Sequence, residues 1–485
     1  MLESISKSDW TTQAAAHLLN RAGFGASPAE IARAAARPPA EVVADLVDFE
    51  KKPDDFQPPT WVTPEAELRP NRSAMMGLTE DQKREKQKEL RAVERQRLIE
   101  LRAWWLYRMR YTQRPLQEKL TLFWHGHFAT SEDKVKGIYA LYLQNQTFRK
   151  LASGGWKDLV TAVAKDPAML VYLDNAQSRR GSPNENFARE LMELFTLGEG
   201  HYTEEDIKQS ARAFTGWSLS MERYAFEERA RMHDPGPKTF FGQQGPFDGN
   251  DIIRILLKQP QASRFICRKL WTFFAYEDPA PELVDALARV FDEGGQTFKP
   301  LLRALFLSEE FHSARARGGQ VKSPVQWLVG TTRSLEAPLP GPQACGAILR
   351  ALGQELFAPP NVKGWDGGLT WISTTRLFHR YNIAGLLVKG GRALTETKLE
   401  GTFGGLRGVP PLVDTTKLAA SDLQGTRDQV QQKLQWRLFQ QPVREKDAAA
   451  IRAYLATLPE PKAWTPDTVR DVLHQMMSTP QYQLC

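Results

Sequence analysis

The chain has 485 residues, 41% of them hydrophobic and 25% charged, with a formal net charge of +7 and a pI of about 9.1. That length leaves room for several lobes sharing an interface. Lys and Arg are interleaved with Asp and Glu, which argues for a solvated surface and against a nucleic-acid stripe, and no segment approaches the roughly 18 consecutive apolar residues of a membrane span.

The N-terminal stretch MLESISKSDWTTQ has no basic region followed by an apolar one, so the expectation is a chain without an export signal, cytoplasmic as written. Residues 8–50 read as two helices, with Gly23 and Gly25 ending the first and Ser27-Pro28-Ala29-Glu30 opening the second as a capping box. Residues 52–80 are proline-rich and polar, a surface excursion. Residues 80–111 predict a long helix, polar at its start and apolar at its end, so that only its second half is buried. Further helices are expected over 115–128, 133–152, 155–173, from about 183, and over 203–215. Residues 220–250 are loop-rich. Helices resume at 249–276, 281–293, 297–309, 322–336 and 342–352. Pro359-Pro360 and several glycines exclude regular helix over 353–372. Helices at 373–390, 426–438, 444–457 and 466–478 complete the chain. The fold class is all-α: a multi-helical globular protein with long irregular loops over one face. Its segments are an N-terminal helical part (1–51), the excursion (52–80), a main helical body carrying the motifs (81–400) and a C-terminal helical part (401–485). The three cysteines, Cys267, Cys345 and Cys485, are too scattered for a disulfide framework or a cysteine zinc site.

Four places carry candidate chemistry. In LTLFWHGHFATS (120–131), two of only eight histidines flank a glycine. Residues two apart on a helix point about 200° away from each other. Gly126 would let the backbone leave the helix and bring His125 and His127 onto one metal ion. The bland alternative is a helix-end cap beside a core histidine. In SPNENFARELMELF (182–195), Ser182 and Glu185 fit a capping box with Pro183 at the first helical position. On that helix Asn186, Glu190 and Glu193 share one face, with Arg189 at its edge and Asn184 at its start. Two carboxylates and an amide suit a metal or a general acid/base pair, but a solvated face with Arg189–Glu193 and Arg189–Glu185 pairs reads equally naturally. Asp174, just before that loop, is either a group that orients a histidine or a turn aspartate. His233, Asp234 and Lys238 lie in a Gly/Pro-rich loop able to close over a pocket and offer positive charge to an anion. Trp217, Trp365 and Trp371, with Asn361 and Lys363, can form a stacking platform for sugar rings or can pin loops to the body. GxSxG, HExxH, the Walker loop and the dinucleotide fingerprint are absent.

The stretches AAHLLNRAGFGAS (15–27), LTLFWHGHFATS (120–131), PNENFARELMELFTLGEGHYTEEDI (183–207), ARAFTGW (211–217), HDPGPKTFFG (233–242), KSPVQW (322–327) and LGQELFAPPNVKGWDGGLTW (352–371) together resemble the DUF1800 family of bacterial proteins. The resemblance runs from about residue 14 to 390 and more weakly to the end. It implies no general activity. It does imply a partner: members are often encoded beside a DUF1501 protein that carries a twin-arginine signal, which would permit co-export to the periplasm. Members often have Asn at the place of Gly126, and some have His where this chain has Phe195, so a site built on that His would be altered here. Two readings follow. One is a metal-dependent enzyme that hydrolyses or oxidises a glycan or other anionic substrate. His125, His127, Glu190 and Glu193 would bind a divalent metal (Zn, Fe, Mn or Cu). Glu190, Glu193, Arg189, Asp174, His233 and Asp234 would supply catalysis, and Asn184, Asn186, Trp217, Lys238, Asn361, Trp365 and Trp371 would hold the substrate. The other is a non-catalytic helical scaffold for a DUF1501-type protein. An enzyme should keep the polar cluster open in a pocket, whereas a scaffold should bury it in hydrogen bonds.

Overall fold

The capping box expected at Ser27 forms. Ser27 accepts a bond from the Glu30 N–H while the Glu30 carboxylate accepts from the Ser27 N–H, and Thr79 with Gln82 and Thr203 with Asp206 do the same. Each box satisfies N–H groups that a helix start leaves orphaned. The computed structural model describes residues 2–69, 76–391, 406 and 408–485. The boundary expected at residue 400 lies outside the described residues.

Among the described residues there are 21 α-helices. Residues 8–50 hold three helices where the sequence suggested two: α1 (Thr12–Ala22), α2 (Pro28–Ala35) and α3 (Pro39–Val47). The extra break falls at Pro38-Pro39, which cannot continue a helix. The long α4 (Glu80–Tyr111) is followed by α5 (Pro115–His127) and α6 (Ile138–Lys150); the buried residues of α4 begin at Leu98, in its C-terminal half. Residues 155–173 split into α7 (Trp156–Ala164) and α8 (Pro167–Tyr172), again at a proline. Then come α9 (Glu185–Glu190), which runs on as a π-helical turn over Leu191–Thr196, and α10 (Glu204–Ala213). Residues 217–245, overlapping the loop-rich 220–250 region, form two short antiparallel hairpins, β1 (Trp217–Leu219) with β2 (Phe226–Glu228) and β3 (Lys238–Phe240) with β4 (Gln243–Gly245).

The second half is α11 (Gly249–Leu257), α12 (Pro260–Phe274), α13 (Pro281–Glu293), α14 (Phe298–Leu307), α15 (Pro324–Ser334), α16 (Pro342–Leu352), α17 (Thr374–Lys389), an unforeseen α18 (Thr415–Ser421), α19 (Arg427–Phe439), α20 (Glu445–Ala456) and α21 (Pro466–Met477). The chain between α16 and α17 is irregular apart from a single 3-10 turn, as Pro359-Pro360 requires.

Burial divides this array into two large apolar cores. One joins α1 and α3 to α5, α7, α9 and α11–α14. The other joins α4 and α6 to α15–α17, α19 and α21. Helix α5 serves both: Leu120, Phe123 and Trp124 face the first core and Leu122 the second. No helix among the described residues is long and apolar enough to cross a membrane.

Candidate functional site

Because α5 is used on both sides, its histidines diverge. The helix continues unbroken through Gly126 to His127, so the glycine does not provide the expected non-helical step. His125 turns toward Trp105, Phe357 and Trp365, and the Phe357 N–H donates to its Nε2 at 3.0 Å. His127 turns toward Phe123, Phe195 and Phe265, and its Nε2–H donates to the Phe195 carbonyl at 3.0 Å. Burial, with Arg102 nearby, pushes His125 down to about 3, and burial, with Lys269 nearby, holds His127 well below the usual imidazole range. Both rings are therefore neutral at pH 7, with their protons on opposite nitrogens. Among the described residues no three His, Cys, Asp or Glu gather as a metal would need. The expected set of His125, His127, Glu190 and Glu193 is not assembled.

The expected capping box on α9 is also replaced. Ser182 exchanges backbone bonds with Arg179 in a turn, and Asn184 caps the helix by accepting from the Asn186 N–H at 2.9 Å. Pro183 thus lies outside the helix. Arg189 forms a bidentate pair with Glu204 (2.9 and 2.8 Å) and a longer contact with Glu185. Glu193 accepts from the Tyr202 hydroxyl at 2.8 Å. Glu190 is half-buried, and burial together with Glu193 raises its carboxyl. Asp174, with φ of 58°, takes a turn position, and its carboxylate pairs with Lys134 at 2.6 Å.

The loop from His233 is tied to its own neighbourhood. His233 Nδ1–H donates to the Thr215 carbonyl, Asp234 pairs with Arg212 at 2.8 Å, and the Lys238 ammonium is buried on the carbonyls of Asp234 and Gly236. Lys238 therefore offers no free charge to a ligand. Trp217 is fully buried between Phe214 and Phe226, a pin and not a platform. Asn361 closes a turn by accepting from the Lys363 N–H.

The side chains that remain converge elsewhere. A cleft of ≈ 590 Å³ opens between α5, α12 and the 363–371 loop, and Trp365, Trp371, Lys363 and His127 all line it. It is also lined by Arg21 of α1, Lys119 of α5, Arg268 and Lys269 of α12, and Arg315; on the acidic side are Glu277, Asp366 and Cys485, the last acting as a negative charge on Arg21 and Lys119. The loop reaches α5 closely because residue 364 is glycine: its φ is +86°, and a Cβ there would run into the Gly126 carbonyl. Trp365, Trp371, Lys363 and His127 were legible in the sequence; Arg21, Lys119 and Lys269 were not.

The floor holds the unusual charges. Arg21 is 1% exposed; its Nη2 donates to the Ala316 carbonyl, while Nε and Nη1 have no acceptor. Lys119 is buried, donates to the neutral Gln326 Oε1, and lies 5.0 Å over the Phe24 ring. Burial pushes its ammonium down to about 7, with the Cys485 carboxyl acting upward and Arg21 downward. Lys269 is half-buried against Phe265 and is pushed by burial down to about 8. None of the three forms an ion pair among the described residues. Lysine on an apolar stripe was the available signal: Lys119 shares the 116-120-123-127 side of its helix.

No curated protein and no solved structure is detectably similar to this chain. Comparison with known families matches residues 17–484 to "Protein of unknown function (DUF1800)", nearly the whole length, so the chain belongs to the DUF1800 family.

Proposed function

We propose that this protein binds an anionic ligand in the cleft between α5, α12 and the 363–371 loop. The observation that supports it is the Arg21 guanidinium, buried with two nitrogens unpaired, beside Lys119, which has no ion pair either; Cys485 acts on both as a negative charge without pairing with them, and Lys269 adds a third cation to the same cleft, toward His127. Buried charges are normally paired, since desolvating an ion without compensation is strongly unfavourable. Cations gathered in a concave, low-dielectric cavity focus a positive potential on whatever enters. Hydrolysis or oxidation at a His/Glu metal centre has less support, because its residues are engaged in the packing and hydrogen bonds described above.

Calorimetry of the full chain with inorganic phosphate, sulfate and pyrophosphate tests this reading. Single-site binding is expected, weakening as NaCl is raised. Lys119→Met, which keeps the apolar stem and removes the ammonium beside Arg21, is expected to lower affinity by roughly 10-fold. Absence of binding heat and of any thermal shift at millimolar anion would end the proposal.

A second reading, the DUF1501-type partner, draws on Leu369, a large apolar side chain 77% exposed that lines the cleft, and on Phe378 of α17, 50% exposed. Co-expression and affinity capture test it; the two proteins eluting separately at micromolar concentration would count against it.

A further inference from the structure

The cleft's charges account for only part of its polar capacity. His127 donates through Nε2, so its Nδ1 is a bare acceptor; that atom is buried and has no donor. Gln354 accepts the Val325 N–H on its Oε1, while its side-chain N–H groups donate to nothing among the described residues. Ser323 accepts the Gln326 N–H on Oγ, leaving its hydroxyl proton free, and the Thr272 hydroxyl has no partner among the described residues. All four residues line the same cavity as Arg21, Lys119 and Lys269. At its roof Trp365 is half-buried, resting on His125 at 5.5 Å.

A small inorganic anion would answer the cations and leave these groups idle. An acyl chain would answer neither them nor the His127 lone pair. A ring bearing several hydroxyls supplies donors and acceptors together, and its C–H face suits the negative face of an aromatic ring. The cavity falls in the range of about 300–1,000 Å³ usual for small-molecule sites. Resting on the anion-binding reading, we infer that the ligand is a sugar acid: a pyranose carrying a phosphate or carboxylate, its acid group at Arg21 and Lys119, its hydroxyls among His127, Gln354, Ser323 and Thr272, and its face on Trp365.

The test is calorimetry of the full chain with inorganic phosphate, acetate, neutral glucose, and the 6-phosphates and uronates of glucose, galactose and mannose. At least one sugar acid is expected to bind roughly 10-fold or more tightly than both its inorganic or acetate counterpart and neutral glucose. The better of the two series identifies the acid group. Trp365→Ala is expected to bring that sugar acid down to the affinity of the simple anion, and Trp365→Phe to retain most of the gain. If simple anions bind and no sugar acid exceeds them, the inference is overturned while the anion-binding reading stands. If nothing binds, phosphate included, both fall. The wild-type series decides by itself, whether or not the Trp365 variants fold.

Discussion

Glu118 and Lys119 are neighbours on α5, and both are buried. Their surroundings are opposite. Glu118, 0% exposed, accepts from Trp105 Nε1 and Arg108 Nε at 2.9 Å each and from Arg149 Nε and Nη2 at 2.7 and 3.0 Å; Arg108 in turn is closed off by Asp54. One residue on, Lys119 turns the other way and faces the cleft together with Arg21 of α1, with no carboxylate in ion-pair range among the described residues. The first cluster is complete within the fold, and its charges need nothing further. The second has only Cys485 facing it, too far for an ion pair, and leaves two Arg21 nitrogens without an acceptor. Burial alone therefore does not mark a functional site. What distinguishes the two clusters is whether the buried charge has found its counter-charge.

The comparison is broken most forcefully at Glu118. Burial alone would raise its carboxyl, but Arg149 and Arg108 hold it below the ordinary range, so it stays ionised at neutral pH. Removing it strands two buried guanidinium groups. Glu118→Ala is expected to destabilise the protein by about 3–5 kcal/mol, read as the shift in a urea unfolding midpoint. A loss within experimental error would mean that the cluster is not the closed network it looks to be.

The lysines give the opposite signature against pH. Lys119 titrates at about 7 in the folded chain and near its ordinary 10.5 when unfolded. Between those values the unfolded chain holds more protons, so unfolding free energy rises with pH across that window and is flat below it for this group. Lys269 and Lys322, both pushed down to about 8 by burial, act in the same sense. An increase of about 1–3 kcal/mol between pH 7 and 8.5 is expected, reduced in Lys119→Met and in saturating phosphate, which would restore the ammonium's pKa. The window stops short of pH 9, where the Cys267 and Cys345 thiols, raised by burial, begin to act in the opposite sense, followed by tyrosines such as Tyr139 and Tyr276, raised to about 12. A fall in stability over pH 7–8.5 would contradict the unpaired state of these lysines.

Much of the fold was legible because its signals are local. The Ser27–Glu30 box, the one-sided burial of α4 and the irregular 353–372 stretch each depend on residues a few positions apart. The hairpins over 217–245 escaped because their strands are three residues long, too short for alternation to show. The site was legible at Trp365, Trp371 and Lys363, whose glycine-rich loop advertises itself, and at His127, which lines the cleft without the partners its spacing suggested. His125 and His127 gave a strong spacing signal with the wrong geometry, since packing on both sides of α5 held the helix through Gly126. The pairing of Glu118 with Arg149, 31 residues away, and the lack of pairing at Arg21 are tertiary facts that no spacing records.

The smallest expected effect concerns the glycine between the two histidines. If Gly126 were needed to bend the chain, any side chain there would be harmful. Instead it lies within regular helix, and a Cβ built on it meets nothing within 4 Å, because that side faces the cleft. Glycine in a helix interior carries an entropic penalty relative to alanine, so Gly126→Ala is expected to stabilise the protein by about 0.5–1 kcal/mol. A bulky residue at the same position would keep the helix but project into the cavity, and Gly126→Phe is expected to weaken phosphate binding while thermal stability is retained. Destabilisation of both variants would show that the helix does need glycine at this point, and would return the two histidines to the bent geometry that their spacing first suggested.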